Sequence, residues 1–146
     1  MSAAEPAPDL VFRPGTAADL STTFELSERA MHAAASRQGA VPADAPLTDA
    51  RIRADWLRQR SVIEFIAAQP DGRYLVCEGA EGPIGYARVV RFGAMEQLTE
   101  LMVAPAHQGH GVGRALGPRR AALVGAGLVE GRSRTRPGVD GGATRP

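Results

Sequence analysis

The stretch Val103–Arg120, VAPAHQGHGVGRALGPRR, contains the pattern that decides the fold. Three glycines, Gly109, Gly111 and Gly113, follow an apolar run and precede a segment with helical character. Glycine lets the backbone curl and approach a ligand closely, and the first turn of a helix has N–H groups without partners and a partial positive charge. The passage predicts either a phosphate-binding loop or a glycine turn needed only for geometry.

The spacing of the loop narrows the class of ligand. A nucleotide P-loop needs Gly-Lys-Ser/Thr, but the 17 basic residues of this chain are all arginine. The dinucleotide fingerprint needs G-x-G-x-x-G in a parallel βαβ unit, whereas this loop follows strands joined by short turns. A nucleotide-binding protein of another fold is therefore the weakest of three hypotheses.

Two helices are predicted before the strands. Thr16 and Asp19 form a capping-box pattern, and the helix after them is expected to carry Leu20, Phe24, Ala30 and Met31 toward a core. A second helix is expected from near Thr48. Its apolar residues at near-helical spacing are Ile52, Trp56, Ile63 and Ile66, and its charged residues Arg51, Asp55 and Arg58 are expected on other faces.

Four strands are predicted: Leu10–Arg13, Arg73–Gly79, Ile84–Phe92 and Glu96–Val103. On the last strand, alternation places Leu101 and Val103 on one face, and Leu98, Glu100 and Met102 on the other. A helix is expected to start near Val112. The fold class is therefore α/β (α+β mixed), an antiparallel meander with N-terminal helices.

The segment Leu101–Leu116, LMVAPAHQGHGVGRAL, resembles motif A of the GCN5-related N-acetyltransferase (GNAT) family. Gln108, Gly111 and Gly113 match the signature Gln/Arg-x-x-Gly-x-Gly/Ala, and Pro105 matches the end of the strand. The resemblance extends over about residues 10–116 and implies acetyl-CoA as co-substrate, with no metal.

The resemblance also implies which residues contact acetyl-CoA. Pantetheine would bond the backbone near Met102 and Val103, as a ligand that adds to a strand edge. The backbone of the loop would hold the pyrophosphate, framed by Gln108 and Arg114. The implied binding residues are Met102, Val103, Gln108, Gly109, His110, Gly111, Val112, Gly113 and Arg114.

Acetyl transfer to an amine needs a group that takes the amine proton. Glu100, on the last strand, is the first candidate base and Glu96 the second. A paired or solvated strand carboxylate is the competing interpretation for both.

After Leu116 the motif resemblance ends at Gly117-Pro118. The family would continue with a helix, further strands and a late tyrosine acid, which the Gly-, Arg- and Pro-rich tail does not supply. We therefore divide the chain into a disordered segment 1–9, an acetyltransferase part 10–116 with C-terminal strands missing, and an atypical, disordered tail 117–146. A reading-frame shift is favoured over an evolved short form, and the last strand would then have an open edge through which the chain could oligomerise.

Composition sets the remaining expectations. Net charge is +1, which gives no general attraction to nucleic acid or membrane, and the single cysteine excludes an internal disulfide. A cytoplasmic protein is expected, with a small-molecule or protein amine as acceptor. The hypotheses that stay open are an active N-acetyltransferase and a catalytically impaired module that only binds acetyl-CoA.

Overall fold

A computed structural model of the chain describes residues 10–42 and 44–117. Strand β1 (Val11–Pro14) is followed by a 3-10 turn and two helices, α1 (Leu20–Arg37) and α2 (Asp49–Ala67). Strands β2 (Arg73–Gly79), β3 (Gly82–Phe92) and β4 (Met95–Val103) come next. After a 3-10 turn, helix α3 begins at Val112 and is described over residues 112–117. The predicted order of elements is confirmed.

The four strands form one antiparallel sheet in the order β1-β2-β3-β4. The mixed α/β fold class with an antiparallel meander is therefore confirmed. The predicted loss of C-terminal strands and the divisions 1–9 and 117–146 fall almost wholly outside the described residues. Within the described ranges no helix is long and apolar enough to cross a membrane.

One face of the sheet packs against α3, and we term it the closed face. Leu75, Cys77 and Ala87 on the strands meet Val112 and Leu116 on the helix, and all five are nearly inaccessible to water. Gly85 makes this contact possible, because a Cβ atom there would lie 3.0 Å from Val112 Cγ1 and 3.1 Å from the Met102 carbonyl oxygen. The closed face therefore fixes α3, and with it the end of the glycine loop, against β3.

The other face, which packs against α1 and α2, is termed the open face. Its apolar cluster joins Leu26 of α1 to Val76 and Tyr86 of the sheet. Arg88 is also buried here, with its guanidinium carbon 4.9 Å from the centre of the Tyr74 ring. This face thus combines apolar and charged groups, as sites that bind polar ligands do.

The start of α1 is anchored as the sequence predicted. Thr16 and Asp19 form the capping box, and Asp19 Oδ2 accepts a hydrogen bond of 2.8 Å from the Thr16 backbone N–H. The Asp19 carboxylate also accepts two hydrogen bonds from Arg13, of 2.6 and 2.7 Å, and Arg13 reaches Glu78 on β2. This network ties β1, β2 and the beginning of α1 together.

Two predictions about the helices are wrong. Met31 is 47% exposed, because the α1 face that packs well at Leu20, Phe24 and Ala30 meets a groove at this turn. Asp55 is buried rather than directed away from the core. Its charge is balanced by the exposed side chains of Arg51 and Arg58, which both pair with it. A carboxylate can be buried when it is paired in this way.

The prediction for the faces of β4 is wrong at one position. Arg88 is opposite Glu100 while Val89 is opposite Leu98, so Thr99 is an extra residue in β4, a β-bulge. The Thr99 hydroxyl donates a hydrogen bond of 3.1 Å to the Arg88 carbonyl. Since the bulge shifts the alternation by one residue, Leu98 shares the closed face with Leu101 and Val103 rather than the face of Glu100.

Candidate functional site

The glycine loop has the backbone geometry that its sequence predicted. Gly109 and Gly111 have φ values of +80° and +84°, a region that residues with a side chain rarely adopt. Among residues 10–42 and 44–117, and apart from the two chain neighbours, no atom lies within 4 Å of the position of a Cβ atom at either glycine. The loop therefore leaves free space beside its backbone at both positions, as a loop that holds a phosphate group requires.

Gln108 joins the loop to the strand before it. Its Nε2 donates a hydrogen bond of 3.0 Å to the carbonyl oxygen of Val103. Its Oε1 accepts a weaker hydrogen bond, of 3.4 Å, from Arg37 at the end of α1. The structure therefore uses the Gln108 side chain to hold the loop, and it brings an arginine beside the loop that the sequence analysis did not consider.

A groove of 430 Å³ runs from the loop along the end of β4. Met102, Val103, Gln108 and Gly113 line it on one side, and α1 lines it on the other through Ala30, Met31 and Ala34. The structure thus brings together four of the residues predicted to bind acetyl-CoA. His110 and Arg114 are exposed in the loop and the first turn of α3, and Val112 faces the closed core.

A second, larger cavity of 620 Å³ lies between α1, α2 and the open face, and we term it the acceptor cavity. Met31 lines this cavity as well as the groove, so the two spaces are neighbours on either side of its side chain. Glu100 lines the acceptor cavity, and Met102, two residues further along β4, lines the groove.

Glu100 is held by the buried Arg88. One carboxylate oxygen, Oε2, lies 2.8 Å from Arg88 Nη1, and the guanidinium in turn faces the rings of Tyr74 and Tyr86. The contact between Glu100 and Arg88 is an ion pair only, since the buried Oε2 has no hydrogen-bond partner within residues 10–42 and 44–117. The side chain of Glu100 is one-third exposed, so it is oriented by Arg88 and still open to a ligand.

Glu96, the second candidate base, is not brought to the same place. It lies near the β3–β4 turn opposite Arg91, is exposed, and does not line the acceptor cavity. Glu96 and Glu100 are four residues apart and would share a face in a regular strand. The bulge at Thr99 lies between them, so Glu96 is directed to the closed face instead. Its assignment as a base stays a prediction without support from geometry.

Glu28 of α1 is a carboxylate that the sequence analysis missed. It lines the acceptor cavity and makes no hydrogen bond or ion pair with any described residue. Partial burial, together with the negative charge of Asp55, raises the pKa of Glu28 above its ordinary value. Its position on the inner face of α1 could be read from its spacing of four residues from Phe24, but the cavity beside it could not.

Two tyrosines lie beside Arg88 on the open face, and both are phenols at neutral pH. Burial raises the pKa of Tyr86, with the charge of Glu100 as the second cause. Burial likewise raises the pKa of Tyr74, whose hydroxyl lies 2.7 Å from Thr23 Oγ1. Tyr86 is almost fully buried, which leaves it a packing role beside Arg88.

Within residues 10–42 and 44–117, no three His, Cys, Asp or Glu side chains are grouped so that they could hold a metal ion.

Comparison with known proteins identifies the class to which this arrangement belongs. Residues 70–135 match the model of the acetyltransferase (GNAT) domain. The match includes β2, β3, β4, the glycine loop and the start of α3, and it extends past Leu116, where the motif resemblance ended.

Solved structures of acetyltransferases share the fold. The PaiA N-acetyltransferase from Thermoplasma acidophilum, solved in complex with coenzyme A, aligns with a TM-score of 0.57 and 15% identity over 79% of this chain and 71% of its own. An acetyltransferase related to histone acetyltransferase HPA2, from Corynebacterium glutamicum, aligns with a TM-score of 0.52 and 20% identity over 80% and 72% of the two chains.

The ribosomal-protein-S18-alanine N-acetyltransferase from Escherichia coli aligns with a TM-score of 0.51 and 14% identity over 79% of this chain. The chain spans 59% of that enzyme, less than two thirds of its length. A search of curated protein sequences gave no match. The fold is that of the solved GNAT acetyltransferases, and residues 70–135 match the model of this domain, which confirms the resemblance recognised at the glycine loop.

Proposed function

We propose that the protein is an N-acetyltransferase that transfers the acetyl group of acetyl-CoA to an amine. The observation that carries the proposal is that the groove at Met102 and Val103, which begins at the glycine loop, adjoins the acceptor cavity with Glu100. The pyrophosphate would bind at the loop, the pantetheine would lie in the groove, and the amine would enter from the acceptor cavity.

The chemistry follows from the position of Glu100. The amine must be neutral to attack the thioester carbonyl, so its ammonium form has to lose a proton first. Glu100, held by Arg88 through one oxygen, would accept this proton with the other. The C–N bond then forms, the C–S bond breaks, and the thiolate leaves and takes up a proton from solvent. The groove contributes by placing the two reactants close together.

The first experiment tests binding at the loop. Calorimetric titration with coenzyme A is expected to show binding that Gly111→Val weakens at least about tenfold, because the side chain fills the free space and strains the backbone. Gly93→Val is the matched control, because Gly93 also has a positive φ and open surroundings but lies in the β3–β4 turn. Equal weakening by both substitutions would show that the loop is not the site.

The second experiment tests transfer. Thiol release from acetyl-CoA is measured with a set of primary amines, and Glu100→Gln is expected to lower kcat about 10²- to 10⁴-fold, the usual contribution of a general base. Glu96→Gln is expected to leave kcat unchanged, since Glu96 does not line the cavity. Coenzyme A binding without turnover for any amine would replace the proposal with the impaired binding module.

A further inference from the structure

The acceptor cavity has a composition that specifies the acceptor more closely than the proposed function does. Most of its lining is apolar and comes from both helices and the sheet, with Phe24, Val62, Phe65 and Phe92 among its side chains. Three of these four are well exposed: Val62, Phe65 and Phe92 are 59%, 68% and 57% accessible to water. Exposed apolar groups gathered around one cavity indicate that a ligand covers them.

The cavity has few charged residues, and their positive and negative charges do not cancel. Its charged lining residues are Glu28, Arg88 and Glu100. Arg88 pairs with Glu100, so these two charges balance. Glu28 has no such partner in the described part of the chain, and the cavity carries one net negative charge. A carboxylate that is partly removed from water and unpaired is stabilised by a ligand cation.

We infer that the acceptor cavity takes a small primary amine with one positive charge on an apolar body, and that Glu28 recognises its ammonium group. This inference rests on the proposed function, since it names the acceptor of the same site. The volume of 620 Å³ is in the range of cavities that bind small molecules. The apolar body of the amine would cover the side chains at the mouth.

The same composition disfavours three other classes of amine. With the reacting amine placed at Glu28 and Glu100, the second ammonium group of a diamine would lie among the apolar side chains at the mouth, away from both carboxylates. An amino acid would place its carboxylate near Glu28 and Glu100, and the one arginine of the cavity is already paired. A peptide N-terminus would bring backbone N–H and C=O groups into an apolar lining that offers them few partners.

Three amines of equal length test the selectivity. Hexylamine, 1,6-diaminohexane and 6-aminohexanoate differ only in the group at the far end. In the thiol-release assay with the full chain, kcat/KM for hexylamine is expected to exceed the values for the other two by about tenfold or more. A preference for the diamine, for 6-aminohexanoate or for an N-terminal alanine peptide would overturn the inference and leave acetyl transfer intact.

The role of Glu28 is tested by Glu28→Gln, which removes the charge and keeps the shape. The KM for hexylamine is expected to rise about tenfold with a smaller change in kcat, since Glu28 attracts the ammonium form of the amine into the cavity, while Glu100 accepts its proton. Glu25→Gln is the matched control on the outer side of α1, where Glu25 pairs with the exposed Arg29. A KM that Glu28→Gln leaves unchanged would overturn the assignment.

Binding is measured separately, so that a failure of transfer can be distinguished. Calorimetric titrations with hexylamine and with 1-hexanol compare the same apolar body with and without the charge. The wild-type chain is expected to bind hexylamine more tightly, and Glu28→Gln is expected to remove the difference. This result without turnover would reject the proposed function and retain the cavity's selectivity. Equal binding of the amine and the alcohol by the wild-type chain would reject the selectivity itself.

Discussion

The two faces of the sheet are packed to different degrees. On the closed face, Val112 and Leu116 of α3 meet strand residues that are almost wholly inaccessible to water. On the open face, a buried arginine, two tyrosines and a 620 Å³ cavity lie between the sheet and the helices. The closed face therefore fixes the end of the glycine loop, and the open face leaves a cavity beside Glu100, as the proposed transfer requires.

The largest expected loss of stability comes from the closed face. Leu116→Ala should lower the free energy of unfolding by about 2–5 kcal/mol, since Leu116 is fully buried and its removal leaves a cavity. Urea unfolding measures the change. Leu57→Ala on α2 is the control, because Leu57 is 66% exposed. If both substitutions cost the same, the closed face is not the main core.

A smaller loss of stability is expected from a substitution at Asp19, where the start of α1 is joined to the sheet. Asp19→Asn should cost about 1–3 kcal/mol at pH 7, because it weakens a charge-assisted pair with Arg13. The hydrogen bonds from Arg13 hold the pKa of Asp19 well below its ordinary value of 3.8. The contribution is therefore fully present above about pH 5 and is lost as the pH falls below 3.8 toward the lower folded-state pKa.

The pH dependence of the stability difference between the two proteins serves as the control for this prediction. Urea midpoints of the wild type and of Asp19→Asn are compared at pH 7 and at successively lower pH. The difference between the two proteins should shrink as the pH falls, because the wild-type carboxylate becomes protonated. A difference that is constant down to pH 2 would show that the pair with Arg13 contributes through packing alone.

The smallest effect on stability is expected at the mouth of the acceptor cavity. Phe65→Ser should change the free energy of unfolding by less than about 0.5 kcal/mol, since Phe65 is 68% exposed. It should nevertheless raise the KM for hexylamine several-fold, because the apolar body loses a contact. Leu57→Ser, equally exposed on α2 but outside this cavity, is the control. A large loss of stability would place Phe65 in the core instead.

Local chemistry made much of this fold predictable. The capping box at Thr16, the bounds of β2 and the start of α3 at Val112 depend on residues close together in the chain, and the structure has them as predicted. The glycine loop was likewise recognisable, because its backbone conformation needs Gly109 and Gly111.

The features that were missed depend on residues distant in the chain. Arg37 meets Gln108 across 71 positions, and Arg88 pairs with Glu100 only because β3 and β4 form a hairpin. The burial of Asp55 follows from the packing of α1 on α2, which the pattern of one helix does not reveal. Glu28 gains its importance from a cavity that exists only in the assembled fold.

Because of the bulge at Thr99, the alternation of side chains between the two faces of β4 changes phase at this residue. Before it, even-numbered positions such as Leu98 face the closed side; after it, odd-numbered positions such as Leu101 and Val103 do so. Deleting Thr99 would restore regular alternation and leave the other residues on their present faces, whereas deleting one residue elsewhere in β4 would reverse the orientation of the residues on one side of the deletion. In a scan of substitutions along the strand, the alternation between tolerant and intolerant positions would invert at Thr99.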